Sequence, residues 1–195
     1  MNDQPVNPQP NAPASGPSDE HLMLAFSQGS ADAFSELFSR YKQPLFGFFR
    51  RRLADVSPAE ELTQETFLVL LRSGSRYQPR ALFRTYLYAI AFNLLRAHRR
   101  KAMFRATFFG TRPAVQDPAV HDSPGANLAI REALSKLEST EREILLLREF
   151  EQLTYSEIAD LLRLPLNTVR SRLFRARLAL RELLLPEKEE LGKNS

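Results

Sequence analysis

Arginine is concentrated in one short segment near the end of the chain. Between Arg163 and Arg181 there are six arginines and no aspartate or glutamate. The planar guanidinium group pairs with phosphate, and with the edge of guanine, through two parallel hydrogen bonds. A segment of this composition is typical of a helix that binds DNA.

Two short helices joined by a tight turn are predicted to position these arginines. Thr154 and Glu157, three residues apart, predict a capping box at the start of the first helix. This helix then carries one apolar stripe, formed by Tyr155, Ile158, Ala159 and Leu162. Proline cannot continue the hydrogen-bond ladder and asparagine suits a turn, so residues 164–167 are expected to break the helix. The second helix is expected to begin near Thr168.

The second helix is predicted to bury one side and expose the other. Its core stripe consists of Val169, Leu173, Ala176 and Leu180. Because successive residues are about 100° apart, the opposite side carries Ser171, Phe174 and Arg175. The flanks of that side carry Arg170, Arg177 and Arg172. Such a helix fits a DNA major groove, where arginines reach phosphates and guanine edges. The alternatives are an ordinary helix pair with a solvated basic face, and a protein-binding hairpin.

The middle of the chain has a second basic stretch. Between Thr66 and Gln116 there is no acidic residue, and this bias is an electrostatic footprint for nucleic acid. The basic residues are Arg72, Arg76, Arg80, Arg84, Arg96, Arg99, Arg100, Lys101, Arg105 and Arg112. Aromatic residues lie among them, namely Tyr77, Phe83, Tyr86, Tyr88 and Phe92. Rings among arginines suit base stacking and phosphate pairing with a single strand, whereas core packing is the alternative for Phe83 and Tyr88 in particular.

One helix from about Phe83 to Arg100 is predicted to carry most of this stretch. Its inner stripe is expected to be Leu87, Ile90, Ala91 and Leu94. The outward residues are then Thr85, Phe92, Asn93, Arg96, Arg99 and Arg100.

The preceding helix is acidic on one side. Ser57 as N-cap, Pro58 at the first helical position and Glu60 at the third predict its start. One face then carries Glu61, Gln64, Glu65 and Leu68. An acidic face with an apolar centre suits a basic protein partner. The alternatives are a solvated helix face and a carboxylate metal site without histidine support.

Composition limits the classes of protein that fit. The chain has 195 residues, 43% of them hydrophobic, a net charge of +4 and no cysteine, so disulfides and thiolate zinc sites are excluded. The three histidines are scattered, and we expect neither metal nor cofactor. No apolar run is long enough to span a bilayer, and the first residues lack a signal-peptide pattern, so a cytoplasmic protein is expected.

Both folded parts are predicted to be all-α, with the helix-turn-helix in the second. Proline-rich residues 1–18 are expected to be a disordered tail, and 186–195 a charged tail. The first domain is expected over 19–101 and the second over 127–185. Residues 102–126 lose helical periodicity and gain proline and glycine, which indicates a flexible linker.

These blocks together resemble a known family. Residues 59–73, 83–101 and 133–180 look like the extracytoplasmic-function group of bacterial RNA polymerase sigma factors, in the family's order and spacing over about 19–185. The resemblance implies a factor without catalytic activity that directs core RNA polymerase to promoters and helps to open them. It also implies that the first domain binds the polymerase clamp and the melted minus-10 strand, and that the second reads the minus-35 duplex. An anti-sigma protein is a further partner that such a factor can have.

The resemblance also assigns residues to these roles. The polymerase-binding residues would be Glu61, Gln64, Glu65 and Leu68. The minus-10 residues would be Tyr77, Arg80, Arg84, Tyr86, Asn93, Arg96, Arg99 and Arg100. The minus-35 residues would be Thr168, Arg170, Ser171, Arg172, Phe174 and Arg175. The competing interpretation is a helix-turn-helix regulator that binds duplex DNA without polymerase, and a metal-dependent enzyme built on the acidic helix is more distant.

Overall fold

The computed structural model describes residues 16–74, 77, 82–109 and 126–185, and these ranges contain helices and no β-strand. The expected tails and most of the expected linker therefore lie outside the described residues, except that Ser18 caps the first helix. The helices are α1 (Asp19–Ser27), α2 (Ala31–Arg50), α3 (Val56–Ser73), α4 (Phe83–Phe109), α5 (Ala126–Lys136), α6 (Ser139–Glu149), α7 (Tyr155–Leu162) and α8 (Leu166–Leu184). The prediction of an all-α fold is confirmed.

Helices α1 to α4 form the N-terminal group, in which each helix packs against the next. Serines at 18 and 30 cap α1 and α2, and each side chain accepts a hydrogen bond from a first-turn backbone N–H. The side chain of Glu20 accepts a hydrogen bond from the N–H of Phe83 at 3.0 Å, which ties α1 to the start of α4. The buried core of this group includes Met23, Leu37, Leu45, Phe48, Phe49, Leu70, Phe83, Leu87 and Leu95.

Two boundaries in this group differ from the sequence-based expectation. Helix α3 begins at Val56 after Asp55, not after Ser57, whose hydroxyl donates instead to Glu61 Oε1 at 3.2 Å. Pro58 then occupies the third helical position, where its missing N–H still has no intrahelical acceptor. Helix α4 continues through Phe109, so the loss of periodicity expected from residue 102 begins later.

Helices α5 to α8 form the C-terminal group, in which α5, α6 and α7 all pack on α8. The predicted capping box is present: Glu157 N donates to Thr154 Oγ1 at 3.3 Å, and Thr154 N donates to Glu157 Oε2 at 2.6 Å. The buried core includes Leu134, Leu137, Ile144, Leu145, Leu147, Leu153, Ile158, Val169, Leu173 and Ala176. The group therefore contains the predicted helix-turn-helix.

The turn chemistry of the helix-turn-helix differs from the expectation. Helix α8 begins at Leu166 after Pro165, so Asn167 lies in its first turn and does not form the break. The left-handed residue that ends α7 is Arg163, with φ of 56°. Its backbone is held there because the N–H of Leu164 donates to the carbonyl of Ala159 at 2.9 Å, a bond that closes the C-terminal turn of α7.

Candidate nucleic-acid and polymerase interfaces

Helix α8 has one buried side and one exposed side, as its sequence predicts. Val169, Leu173 and Ala176 are buried, while Ser171 and Arg175 on the opposite side are exposed. Phe174 lies on the same outward side, and 69% of its surface is accessible. A ring this exposed contributes little to the fold, so the outward side of α8 is free to contact another molecule.

Acidic residues of the same helix group hold several α8 arginines. Arg172 pairs with Glu138 at 2.8 Å, Arg175 with Glu141 at 3.3 Å, and Arg177 with Glu149 at 2.6 Å. Glu138 is also the N-cap of α6, where the N–H of Thr140 is the main cause that lowers its pKa to about 2. These pairs are exposed and add little stability, but they restrict where the guanidinium groups point.

Arg170, Thr168 and Ser171 complete the predicted duplex-binding set. Arg170 is exposed and makes no ion pair with the described part of the chain. The hydroxyl of Ser171 donates to the carbonyl of Thr168 at 3.1 Å, and Thr168 is partly buried. Among the described residues, Arg170 near the start of the helix is therefore unpaired, whereas Arg172, Arg175 and Arg177 further along are paired.

Helix α4 exposes most of the residues predicted for the minus-10 strand. Asn93, Arg96, Arg99 and Arg100 are exposed, and Arg84 is partly buried. The predicted outward position of Phe92 is wrong, because only 7% of it is accessible. The core stripe runs through Tyr88, Ala91, Phe92 and Leu95. It is wider than the predicted stripe and rotated toward Phe92. Phe83 and Tyr88 are buried too, as the core-packing alternative expected.

Two tyrosines meet beside the first turn of α4. The ring centroids of Tyr77 and Tyr86 are 5.4 Å apart, and the hydroxyl of Tyr86 is 2.8 Å from that of Ser73. The Tyr77 hydroxyl is buried without a hydrogen-bond partner in the described ranges, and burial is the main cause that raises its pKa. Arg80, also predicted here, lies outside the described residues, as do Arg76 and Arg112.

The exposed face of α4 extends beyond Arg100, where the sequence-based prediction ended the helix. Phe104 and Phe108 are exposed, and their ring centroids are 4.3 Å apart. Their spacing from Asn93 and Arg100 places all four residues on one side of α4. Extending the helical period past Arg100 would have found them.

The acidic face of α3 is exposed as predicted. Glu61, Gln64, Glu65 and Leu68 are all exposed, and Leu71 extends the apolar part of the face by one turn. Leu62, Thr66 and Leu70 occupy the buried side of the same helix. The exposed face is therefore not needed for the core of the N-terminal group.

A set of contacts between the two helix groups was not predicted. Arg51 and Arg52, at the end of α2, pair with Glu151, which lies between α6 and α7. Arg52 also pairs with Glu143 of α6 at 2.7 Å. Because the paired residues lie far apart in the sequence, no local pattern predicts these ion pairs, and only the structure shows them.

Neither a metal site nor a membrane span is found in the described ranges. No group of three or more potential metal-ligating side chains occurs there. No helix among them is both long and apolar enough to cross a bilayer.

Comparisons with known proteins agree with this arrangement. Residues 37–105 match the family described as Sigma-70 region 2, and residues 127–180 match Sigma-70, region 4. The chain is 30% identical to the RNA polymerase sigma-H factor of Pseudomonas aeruginosa, over 86% of this chain and 94% of that protein. It is 32% identical to the RNA polymerase sigma factor CarQ of Myxococcus xanthus, over 83% of this chain and 95% of that protein.

A solved structure shares the fold. It is the co-crystal structure of the sigma factor RpoE in complex with the anti-sigma factor NepR from Bartonella quintana, with a TM-score of 0.65 and 22% identity over 80% of this chain and 98% of that chain. Matches to two sigma-70 regions, together with relatives that are 30% and 32% identical over most of the chain, establish the family. The chain belongs to the extracytoplasmic-function group of bacterial RNA polymerase sigma factors.

Proposed function

We propose that this sigma factor binds its partners through three separate surfaces, on α3, α4 and α8. The acidic face of α3 binds core polymerase, the basic face of α4 holds the unpaired minus-10 strand, and the outward side of α8 reads the minus-35 duplex. The observation that supports this division is that each surface has exposed side chains at its centre that the hydrophobic core does not use, namely Glu61 and Glu65 on α3, Asn93 and Arg96 on α4, and Ser171 and Arg175 on α8.

The α3 surface fits a basic protein. Two carboxylates and one amide surround exposed leucines, so a partner gains both charge complementarity and apolar contact there. The residues are Glu61, Gln64, Glu65 and Leu68.

The α4 surface fits an unpaired strand. Asn93 can hydrogen-bond an exposed base edge, Arg96 and Arg100 can pair with phosphates, and Tyr77 with Tyr86 offers rings near the start of the helix. Arg80, Arg84 and Arg99 complete the proposed set.

The α8 surface fits a major groove. Arg175 and Ser171 lie at the centre of the outward side, where base edges would be, and the exposed ring of Phe174 can contact a thymine methyl group. Arg170 and Arg172 lie on the flanks, where phosphates would be, and Thr168 lies in the first turn.

We propose further that α1 to α4 and α5 to α8 act as separate functional domains joined by the segment between Phe109 and Ala126. The protein acts in the cytoplasm, has no catalytic activity of its own and needs no cofactor. An anti-sigma protein is a proposed additional partner, in line with the complex of RpoE with NepR.

Reconstituted transcription with bacterial core polymerase tests the proposed division. The chain should start transcription at a defined promoter, and Glu61→Lys with Glu65→Lys should remove this activity because both charges on the α3 face are reversed. A regulator that acts without polymerase would bind the duplex and give no transcript in any mixture.

A matched control isolates the α3 face. Asp160 on α7 and Glu182 on α8 are exposed and lie outside α3, so reversing both makes the same change in net charge away from the acidic face. This control variant should bind core polymerase like the wild type in a pull-down. If both variants bind equally well, the acidic face does not contact polymerase.

A further inference from the structure

We propose that the last two turns of α4 extend the strand-binding surface beyond Arg100, and that Phe104 and Phe108 stack on unpaired bases next to the minus-10 element. These two residues are here called the ring pair. The inference deepens the proposed function of α4 and rests on it, because it adds nucleotides to the strand that α4 is proposed to hold.

The ring pair lies on a part of α4 that the protein core does not use. Among the described side chains of α4, the last buried one is Leu95. The residues from Lys101 to Phe108 are exposed except for Ala106, which is partly buried. Most helical stability in proteins comes from packing, and short helices without it are marginal in water. The end of α4 is therefore free to bind another molecule, and packing against one would stabilise it.

The two rings are accessible and lie close to each other. Phe104 is 60% accessible and Phe108 is 68% accessible. The ring centroids are 4.3 Å apart, and the ring planes are tilted by 35°. The residues are one helical turn apart, so each ring restricts the other. The rings are thus partly ordered before a ligand binds, which lowers the entropy cost of stacking on them.

The ring pair continues the line of residues that the proposed strand surface already uses. Spacings of seven, four and four residues separate Asn93, Arg100, Phe104 and Phe108, which places all four on one side of α4. From Arg100 to Phe108 the helix rises by about 12 Å. At a spacing of about 3.4 Å per stacked nucleotide, this extension has room for roughly three more nucleotides.

The charge around the ring pair suits a nucleic-acid strand. Arg100, Lys101 and Arg105 are exposed and make no ion pair in the described ranges. The chain has no acidic residue between Thr66 and Gln116. A second copy of this helix would therefore bring positive charge against positive charge. A strand instead supplies phosphates to the basic residues and bases to the rings.

The distribution of charge and rings argues against a lipid surface. A helix that lies on a membrane has its apolar side chains on one face and its charges on the other. Here Arg100 lies on the same side as Phe104, and the exposed Met103 lies about 100° away from that side. Rings interleaved with basic residues are typical of proteins that bind single strands.

Oligonucleotides of two lengths test the extension in holoenzyme that contains the full chain. The short probe carries the unpaired minus-10 element alone, and two longer probes add three nucleotides at its 5′ or its 3′ end. One longer probe should bind about fivefold or more tightly than the short probe, because a base stacked on a ring contributes at least this much. Phe104→Ala with Phe108→Ala should remove this gain, with little change for the short probe, which does not reach the ring pair. Fluorescence anisotropy of labelled probes measures these affinities.

Three further double variants separate stacking from other effects. Phe104→Leu with Phe108→Leu keeps apolar side chains and helix propensity without the rings, so it should lose the gain as the alanine variant does. Phe104→Tyr with Phe108→Tyr keeps the rings and should retain the gain. Leu183→Ala with Leu185→Ala removes two exposed apolar side chains at the end of α8 and should bind all three probes like the wild type.

Photo-crosslinking locates the contact directly. Replacement of Phe108 by p-benzoylphenylalanine should give a crosslink to the longer probe in holoenzyme. The same replacement of Leu185, which is also 68% accessible, should give none. Crosslinks from position 108 to a polymerase subunit or to a second copy, without one to the strand, would assign the ring pair to a protein partner and overturn the proposal.

Failure of the extension and failure of the proposed function give different results. If the wild-type holoenzyme binds none of the probes, α4 is not the strand-binding surface. If it binds the short probe and neither longer probe gains affinity, the ring pair does not stack on bases, and the proposed function of α4 stands. A gain that persists in the alanine or the leucine variant, or that is as large when the added nucleotides are base-paired, would also overturn stacking.

Discussion

Helices α4 and α8 are both basic, but their arginines are held in different ways. On α8, Arg172, Arg175 and Arg177 each pair with an acid from their own helix group. The stretch that contains α4 has no acid of its own, and the carboxylates near it come from other elements: Glu20 of α1 at the N–H of Phe83, Glu157 at Thr85, and Glu143 beside Arg99. We expect this local pairing to preorganise α8 for a rigid duplex, and we expect α4 to keep more of its positive charge for the unpaired strand that it is proposed to bind.

The two helices also use phenylalanine in opposite ways. Phe92 is a core residue of α4, and Phe174 is a solvent-exposed residue of α8. Phe92→Ala should therefore lower the free energy of unfolding by about 3–5 kcal/mol, whereas Phe174→Ala should change it by less than about 0.5 kcal/mol. Denaturant titration of both variants measures this contrast. If Phe92→Ala changes the free energy of unfolding only slightly, Phe92 is not a core residue and lies on the outward face, as the sequence predicted.

The position of an arginine on α8 should decide whether it reads a base or contacts a phosphate. Arg175→Ala should cost about 1–3 kcal/mol in binding the minus-35 duplex and relax sequence preference, because Arg175 lies at the centre of the outward side. Arg170→Ala should weaken all duplexes alike and lower the salt slope by about one. Titrations of several duplexes over a range of salt measure both quantities. If the two variants exchange these behaviours, α8 lies in the groove with another orientation.

The acidic residues that pair with α8 should make the stability of the C-terminal helix group sensitive to low pH. Helix α4 has no comparable set of local acids. Hydrogen bonding, first from the N–H of Thr140, lowers the pKa of Glu138 from 4.5 to about 2 in the folded protein. Its contribution to stability is therefore full above about pH 4.5 and is lost as the pH falls toward about 2. Glu138→Gln should flatten the pH dependence of the melting temperature in this window. Glu182→Gln is the control, since Glu182 is exposed and makes no ion pair in the described ranges, and an equal flattening there would contradict the assignment.

Local sequence patterns predicted the helices, and they predicted which sides of α3 and α8 are buried and which are exposed. The capping residues at 154 and 157, the core stripe of α8 and the acidic face of α3 were all readable because each depends on spacing within one helix. Phe92 was misplaced because neighbouring helices cover a wider part of α4 than the period alone indicates. The acids that hold α8, and the pairing of Arg52 with Glu143 and Glu151, join distant parts of the chain. Only folding brings these residues together.

A crossed binding experiment can show whether α4 and α8 contact different forms of the promoter. Holoenzyme is assembled with either Asn93→Ala plus Arg96→Ala or Arg170→Ala plus Arg175→Ala, and each is titrated with an unpaired minus-10 oligonucleotide and with a minus-35 duplex. We expect the α4 variant to lose affinity for the oligonucleotide alone and the α8 variant to lose affinity for the duplex alone. Equal losses on both probes for either variant, or losses on the opposite probe, would contradict it.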